Sequence, residues 1–101
     1  MSVLKPKYYI QQILHIGDEQ ILTTATDVEF QKILFGDILI FDLKLGKCDI
    51  DLSLIDFVEV RVYENKIMSD DILIVSDIID ATELVRDEDD NICLSCKMFV
   101  E

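Results

Sequence analysis

The chain has 101 residues, half of them apolar, and carries 21 Asp and Glu residues against 9 Lys and Arg, for a formal net charge of −12. The apolar half excludes a disordered acidic tail, and no apolar run approaches the ~20 residues of a membrane-spanning helix. The charge disfavours nucleic-acid phosphate and anionic membrane surfaces as partners, because both are bound through Lys and Arg. We therefore expect a basic protein partner, no nucleic acid and no membrane.

The length of the chain is sufficient for one globular domain, residues 1–101, with a modest core. The first residues, MSVLKPKYY, lack the apolar stretch of a secretory signal peptide. Three cysteines, an odd number in a small chain, are typical of free thiols in a reducing compartment. These features predict a cytoplasmic protein.

The first predicted elements form a hairpin. Residues 8–16, YYIQQILHI, predict a strand, Gly17-Asp18-Glu19 predicts a turn, and residues 20–26, QILTTAT, predict the returning strand. Residues 27–36, DVEFQKILFG, fit two patterns. They allow a short helix with Asp27 as its N-cap, or a strand with alternating apolar positions.

The middle of the chain, residues 38–54, alternates between apolar and polar residues, which indicates strands with one dry and one wet face. Gly46-Lys47 suits a two-residue type II′ turn, so this stretch predicts a hairpin. The register of that hairpin would place three pairs on the core side: Leu45 with Cys48, Leu43 with Ile50, and Phe41 with Leu52. On the wet face it would place Lys44 opposite Asp49 and Asp42 opposite Asp51.

After this hairpin the apolar alternation continues through Val58, Val60 and Val62, while Ile55 and Phe57 suggest a bend or bulge in one long strand. Residues 64–71 predict a polar connection, and residues 72–75, ILIV, a strand buried on both sides. Residues 76–85 would extend this strand or begin a helix capped by Ser76 or Asp77; we favour the strand.

The C-terminal part of the chain predicts an acidic turn and a closing strand. The turn is RDEDDN, residues 86–91, and the strand is ICLSCKMFV, residues 92–100, with its even-numbered residues on one face. Six or seven strands, short turns and at most one or two short helical turns predict a mainly β fold. We expect an antiparallel β-sandwich or a small barrel.

Two stretches resemble C2 domains. Residues 57–74, FVEVRVYENKIMSDDILI, are similar to the strand that enters the third calcium loop of that family and to the SxDD-hydrophobic segment after it, and ILIFDL resembles the preceding strand. The resemblance implies a β-sandwich that binds membranes or proteins, often through calcium held by aspartates. It places Glu64 and Asp71 near ligand positions. Lys66 replaces the second expected acid, however, and Ile74 stands where the family usually has glycine.

Few residues suggest chemistry. Cys93 and Cys96 have CxxC spacing, and Cys48 and His15 could complete a zinc site, but the pair lies inside a predicted strand with its sulfurs on opposite faces. The acidic turn lacks the alternating ligand pattern of a calcium loop. His15 has no predicted catalytic partner, and no nucleophile–base motif or phosphate-binding glycine loop is present. We expect a protein that is not an enzyme and has no cofactor or metal.

The function that these observations predict is a non-catalytic acidic protein-binding module, of the inhibitor or immunity type or a phage-encoded decoy, that engages a basic protein surface. The expected contacts are acidic residues of the hairpin and of the last turn: Asp42, Asp49, Asp51, Asp87, Glu88, Asp89 and Asp90. The alternative is a structural or assembly subunit, such as a viral particle component or a homo-oligomer. It would use β edges and bury apolar positions such as Tyr8, Phe57 and Tyr63 between copies.

Overall fold

A computed structural model of the chain describes residues 7–26, 28–47 and 50–101. Seven strands and two three-residue 3₁₀ turns make up its regular structure. The strands are β1 (Tyr8–Ile16), β2 (Glu19–Ala25), β3 (Ile38–Lys47), β4 (Phe57–Glu64), β5 (Ile72–Asp80), β6 (Val85–Arg86) and β7 (Asn91–Phe99). The 3₁₀ turns are Leu52–Leu54 and Ala81–Glu83. The described residues thus contain no helix long enough to span a bilayer.

The strands form two antiparallel sheets, which confirms the predicted β-sandwich. Sheet A has the order β2-β1-β4-β5, and sheet B has the order β3-β7-β6. The predicted first hairpin is confirmed: β1 and β2 pair from Ile16↔Glu19 to Ile10↔Ala25, and Gly17 between them has a φ of 59°, which favours glycine.

The core lies between the two sheets and consists of alternate residues of each central strand. Three residues of β4 are fully buried: Val58, Val60 and Val62. In β7, Ile92 is fully buried and Leu94 is nearly so. The predicted inward face of β7 is therefore confirmed, and so is the inward face of β3, where Phe41, Leu43 and Leu45 are buried. Such alternation follows from the period of two along a strand.

The predicted hairpin over residues 38–54 is wrong. Strand β3 pairs with β7, so that Leu43 lies opposite Leu94 and Phe41 lies opposite Cys96. Gly46 does have the positive φ that a type II′ turn would require, at 87°, but it lies where the β3–β7 register shifts, between Lys44 and Lys47. Glycine permits this irregularity in a strand as readily as it permits a turn. Cys48 and Asp49 lie outside the described residues.

The predicted continuous strand from residue 48 to residue 62 is also wrong. The 3₁₀ turn Leu52–Leu54 interrupts it, and the chain crosses there from sheet B to sheet A. The apolar neighbours that suggested a bend serve this crossing, since Ile55 is buried and Phe57 begins β4. An irregularity does occur further along in the β4–β5 ladder, where Val62 lies opposite Val75 and Tyr63 opposite Leu73, so that Ile74 of β5 is the extra residue.

Residues 28–34 form neither the helix nor the strand predicted for 27–36, and Asp27 itself lies outside the described residues. This segment is an irregular connection between the sheets. The ring of Phe30 packs edge-on against Tyr8 and Phe41, with ring centroids 6.2 and 5.4 Å away. The Tyr8 hydroxyl accepts a hydrogen bond from the backbone N–H of Ile33 at 3.0 Å. Tyr8 is therefore a core residue and not a spare apolar position.

Strand β5 is an edge strand. The prediction of a strand at 72–75 is confirmed, but burial on both sides is wrong, because Ile72 and Leu73 are about half exposed. The strand continues through Asp80, so the helix capped by Ser76 or Asp77 is wrong and the favoured extension is confirmed over residues 76–80. The polar connection before β5 and the acidic turn before β7 are both confirmed.

Candidate functional site

Four connections between strands, β1–β2, β3–β4, β5–β6 and β6–β7, meet at one end of the sandwich. The β1–β2 turn contacts the connection before β4, because the backbone N–H of Gly17 donates to Asp56 Oδ2 at 2.9 Å. Arg86, the last residue of β6 before the β6–β7 turn, contacts the other end of that connection, where its Nη2 donates to the carbonyl of Ile50 at 2.7 Å. The two 3₁₀ turns line one shallow groove together, which includes Ser53 and Thr82.

This end of the molecule is rich in carboxylates, and we call it the acidic pole. Each of its four connections contributes at least two acidic residues. The described members are Asp18, Glu19, Asp51, Asp56, Asp80, Glu83, Asp87, Glu88, Asp89 and Asp90. Three lysines lie at the opposite end, namely Lys7, Lys32 and Lys66, in the segments that flank β1, β3 and β4. Acidic residues such as Glu29, Asp70 and Asp71 lie at that end as well, but ten of the 19 described Asp and Glu residues belong to the acidic pole.

Two aspartates of the acidic pole cap the 3₁₀ turns. Asp51 accepts a hydrogen bond from the backbone N–H of Ser53 at 3.0 Å, and Asp80 accepts one from the backbone N–H of Thr82 at 2.9 Å. In each case the backbone hydrogen bond is the main reason that the pKa of the carboxyl lies below its ordinary value. These side chains hold the turns in shape while they remain charged.

Asp87 organises the β6–β7 turn in the same way. Its Oδ1 accepts from the backbone N–H groups of Asp89 and Asn91, both at 2.9 Å, and its Oδ2 accepts from Asn91 Nδ2 at 3.2 Å. The hydrogen bond from the Asn91 backbone is the main reason that the pKa of Asp87 is lowered. Asp90 closes the turn with a φ of 66°, a conformation that Asp tolerates better than most residues. Glu88 and Asp89 are left exposed at its tip.

Two of the cations that the structure describes, Arg86 and Lys44, lie within the acidic pole and offset part of its charge. Arg86 donates to the carbonyl of Asp90 at 3.0 Å and lies 3.6 Å from the Asp90 carboxylate. Lys44 Nζ lies 3.7 Å from Asp87 Oδ2, but its side chain is largely exposed. Exposed ion pairs of this kind contribute little to stability, and the carboxylates at this end far outnumber the described cations.

The structure places the predicted contact residues on two surfaces. Asp51 and the four acids of residues 87–90 belong to the acidic pole. Asp42 lies on the outer face of sheet B, where it faces Ser95 and accepts a hydrogen bond from its hydroxyl at 2.8 Å. The predicted pairing of Asp42 with Asp51 is wrong, since Asp51 belongs to no strand. The predicted pairing of Lys44 with Asp49 is wrong as well, because Lys44 lies opposite Cys93 of β7.

Half of the acidic pole was not predicted from the sequence: Asp18, Glu19, Asp56, Asp80 and Glu83. Asp80 carried a local signal, because an Asp two residues before a Thr can cap a turn. The others became visible only when strand order was known, since antiparallel strands bring alternate connections to the same end of a sandwich.

The single histidine belongs to a cluster on the outer face of sheet A. His15 Nε2 lies 2.7 Å from Glu59 Oε1, and its ring stacks on Phe57 with the centroids 4.2 Å apart. Arg61 Nη2 donates to the other oxygen of Glu59 at 2.7 Å, and this bond is the main reason that the pKa of Glu59 is lowered. Cross-strand stacking and pairing of this kind stabilise a sheet.

The cysteines do not form a metal site in the part of the chain that is described. Cys96 is buried in the core, and Cys93 lies on the opposite face of β7. His15 lies on the outer face of the other sheet, sheet A. Within residues 7–26, 28–47 and 50–101, no three His, Cys, Asp or Glu side chains are grouped as metal ligands. Burial raises the pKa of Cys96 to about 12, and it also raises the pKa of Cys93, so neither thiol is activated.

Glu64 and Asp71, the residues to which the C2 resemblance assigned ligand positions, bond to other groups of the protein. Asp71 accepts hydrogen bonds from the Tyr9 hydroxyl and from the backbone N–H of Lys66, and Lys66 Nζ lies 3.1 Å from Glu64 Oε2. The bond to Asp71 is the main reason that the pKa of Tyr9 rises to about 12. These contacts fix the connection between β4 and β5.

Comparison with known proteins gives no relative for this chain: no family model matches it, and no curated protein or solved structure is significantly similar.

Proposed function

We propose that the chain is a non-catalytic protein-binding module, and that its acidic pole engages a basic surface of another protein. One observation supports this proposal above the others: carboxylates from four separate connections are collected at one end of the sandwich. The module would act by binding alone, through charge and shape.

The construction of the acidic pole suits such a role. Asp51, Asp80 and Asp87 hold the turns that carry the other carboxylates, so the charged groups are arranged before a partner arrives. Pre-arranged groups lose less conformational freedom on binding. A concentrated field of one sign also accelerates the approach of a partner of the other sign, and it weakens as salt is added.

A more specific form of the proposal is an inhibitor, either of the immunity type or a phage-encoded decoy. A protein that binds nucleic acid presents Lys and Arg to phosphates. The carboxylates of the acidic pole would compete with those phosphates for the same basic surface. The partner would then be a nucleic-acid-binding protein or enzyme, and its activity would fall when the module covers its basic surface.

Charge reversal with a matched control tests the proposal. The test variant carries Glu88→Lys and Asp89→Lys, which are exposed at the tip of the acidic pole. The control carries Glu29→Lys and Asp70→Lys, which are exposed in connections at the other end and give the same net charge. Each protein is immobilised and exposed to an extract of its native host, then eluted with rising salt. Partners should remain bound to the wild type and to the control but leave the test variant at lower salt.

Equal retention on all three proteins would contradict the proposal, as would binding that persists at ~1 M salt, where the Debye length is ~3 Å. A retained protein is then identified, and we test whether the module competes with the nucleic acid that this protein binds. The decoy form requires that the module and the nucleic acid exclude one another. If both bind together, the acidic pole is a docking surface and not a mimic.

The second candidate function is a structural or assembly subunit, either a viral particle component or a homo-oligomer. Exposed apolar side chains on the outer face of sheet B favour it, since Ile38 lies directly opposite Phe99 and Ile40 follows two residues later. Phe57 and Tyr63 contribute less than the sequence predicted, because they stack on His15 and Tyr9. Light scattering over a range of protein concentrations distinguishes the candidates: a monomer at high concentration contradicts assembly through this face.

A further inference from the structure

Two strand edges, one from each sheet, face each other along one side of the sandwich. Among the described residues β5 pairs only with β4, and β6 pairs with β7 only at Cys93 and Ile92. Residues 94–99 of β7 therefore have a strand partner on one side alone, over a length of about 20 Å. Backbone N–H and C=O groups along such edges are available to another strand.

The space between the two edges is an open groove of about 430 Å³. Residues 73–77 of β5 form one wall, and Met98, Phe99 and Glu101 form the other. Five of its eight described lining residues are apolar, and two of these are exposed, Leu73 by 48% and Phe99 by 60%. Phe99 also lies opposite Ile38, so the apolar surface continues from the groove onto the outer face of sheet B.

The charge within the groove has one sign. Asp77 lies on the core-facing side of β5, because its partner Val60 is fully buried, yet it remains exposed at this edge. It is close enough to Cys96 of β7 to act on that thiol electrostatically. Glu101 adds a second carboxylate, and no Lys or Arg is among the described residues that line the groove.

We propose that this groove binds an extended segment of a partner protein as an added β-strand, and that apolar residues alternate with Lys or Arg in that segment. Apolar side chains on the outward face of the added strand would cover Leu73, which lies opposite Tyr63 on the outer face of sheet A, and the basic ones on its inward face would pair with Asp77 and Glu101. Strand addition of this kind combines backbone hydrogen bonds with alternate side-chain contacts. A second copy of the chain fits less well, because each copy carries a net charge of −12.

The proposal goes beyond the function proposed above, because the groove runs along the side of the sandwich and the acidic pole is at its end. Its probe is a synthetic eight-residue peptide of alternating valine and lysine, which presents the required pattern. Two control peptides separate the contributions: one alternates valine and glutamate, and the other keeps the lysines but replaces the central valines with proline, which cannot donate backbone hydrogen bonds.

The experiment measures binding by fluorescence anisotropy and locates it by amide hydrogen exchange on the full chain. We expect the valine–lysine peptide to slow exchange in β5 and in residues 94–99 of β7, and both controls to bind at least about tenfold more weakly. Phe99→Lys and Asp77→Lys should weaken binding of the first peptide by a similar factor. Leu22→Lys is the matched control on β2, because Leu22 is exposed by 59% and lies away from the groove.

Three results would overturn the proposal. The first is equal binding of the proline peptide, which would show that no strand is added. The second is binding that is lost with Glu88→Lys and Asp89→Lys but unaffected by the groove variants, which would assign the peptide to the acidic pole. The third is slower amide hydrogen exchange in β5 and β7 as the protein concentration rises in the absence of peptide. That result would mean that a second copy of the chain occupies the groove. Melting curves confirm that each variant is folded.

Discussion

Asp42 accepts a hydrogen bond at 2.8 Å from the hydroxyl of Ser95, a residue 53 positions further along the chain. The bond joins two neighbouring strands of sheet B, because β3 pairs with the C-terminal strand β7 and not with the residues that directly follow β3. Sheet B therefore cannot form until the last strand is present. Pairings of such long sequence separation slow folding, because a long loop must close before they are made.

The pairing of β3 with β7 predicts energetic coupling between Leu43 and Leu94. The two residues lie opposite each other in the core, and each is about 1% exposed. Leu43→Ala and Leu94→Ala should each lower the free energy of unfolding by ~2–5 kcal/mol. The double variant should deviate from additivity by ~0.5–3 kcal/mol, as residues in contact do. Urea unfolding measures all three. Leu43→Ala combined with Leu22→Ala, on the exposed face of β2, should be additive. Equal deviations for both combinations would contradict the register.

Gln12 is a buried glutamine whose amide nitrogen has no hydrogen-bond partner among the residues that the structure describes. It is about 1% exposed, and its oxygen accepts a hydrogen bond from the Thr23 hydroxyl. A buried polar atom without a partner costs about 1–3 kcal/mol. We expect Gln12→Met to leave the free energy of unfolding unchanged or to raise it by ~1 kcal/mol, because Thr23 is only half-buried and water can replace its acceptor.

The neighbouring glutamine provides the control for this variant. Gln11 lies on the opposite face of β1, across from Arg61 and Thr24, and Gln11→Met should not raise stability. A clear loss of stability in Gln12→Met, measured by urea unfolding, would show that the Gln12 amide makes a stabilising interaction.

Asp77 protects the free edge of β5. Its carboxylate accepts a hydrogen bond from the backbone N–H of Ile78 at 2.9 Å, and its negative charge on the core-facing side of an edge strand opposes pairing with a second copy of this acidic chain. Asp77→Val should therefore increase self-association, seen as a weight-average mass that rises with concentration in light scattering. Asp70→Val, in the connection before β5, removes the same charge and should remain as monomeric as the wild type. Identical masses for the two variants would exclude this role.

Asp87 makes the stability of the β6–β7 turn depend on pH. Its folded-state pKa is lowered, chiefly by the Asn91 backbone hydrogen bond, from an ordinary value of 3.8. The stabilisation is therefore complete above pH ~4 and is lost as the pH falls through the lower folded-state pKa. Asp87→Asn should be less stable than the wild type at pH 7, and the difference should shrink towards pH 2.

Urea unfolding midpoints at several pH values between 7 and 2 test this expectation. Asp70→Asn is the control for the general loss of negative charge on acidification, since it changes the net charge equally at another site. A difference between Asp87→Asn and the wild type that stays constant over this pH range would mean that the Asp87 carboxylate is not the source of the effect.

The sequence alone was sufficient to determine the faces of β3, β4 and β7 and the class of fold. The alternation in ILIFDLKL, in Val58, Val60 and Val62, and in ICLSCKMFV predicts which side chains are buried, because a strand turns every second residue to the same side. The β1–β2 hairpin was also predictable, since its turn is two residues long and its signal, Gly17-Asp18, is local.

Only the tertiary structure decided which strand lies beside which, and with it the composition of the acidic pole. Alternation fixes the face of β3 but carries no information about its neighbour, so Gly46 could be assigned to a turn when it belongs to an irregularity in the β3–β7 ladder. Residues 28–34 are irregular because Phe30 fills the space beside Tyr8 and Phe41, which is a consequence of packing. Carboxylates from four connections lie together for the same physical reason: strand order, and not local sequence, determines where each connection ends.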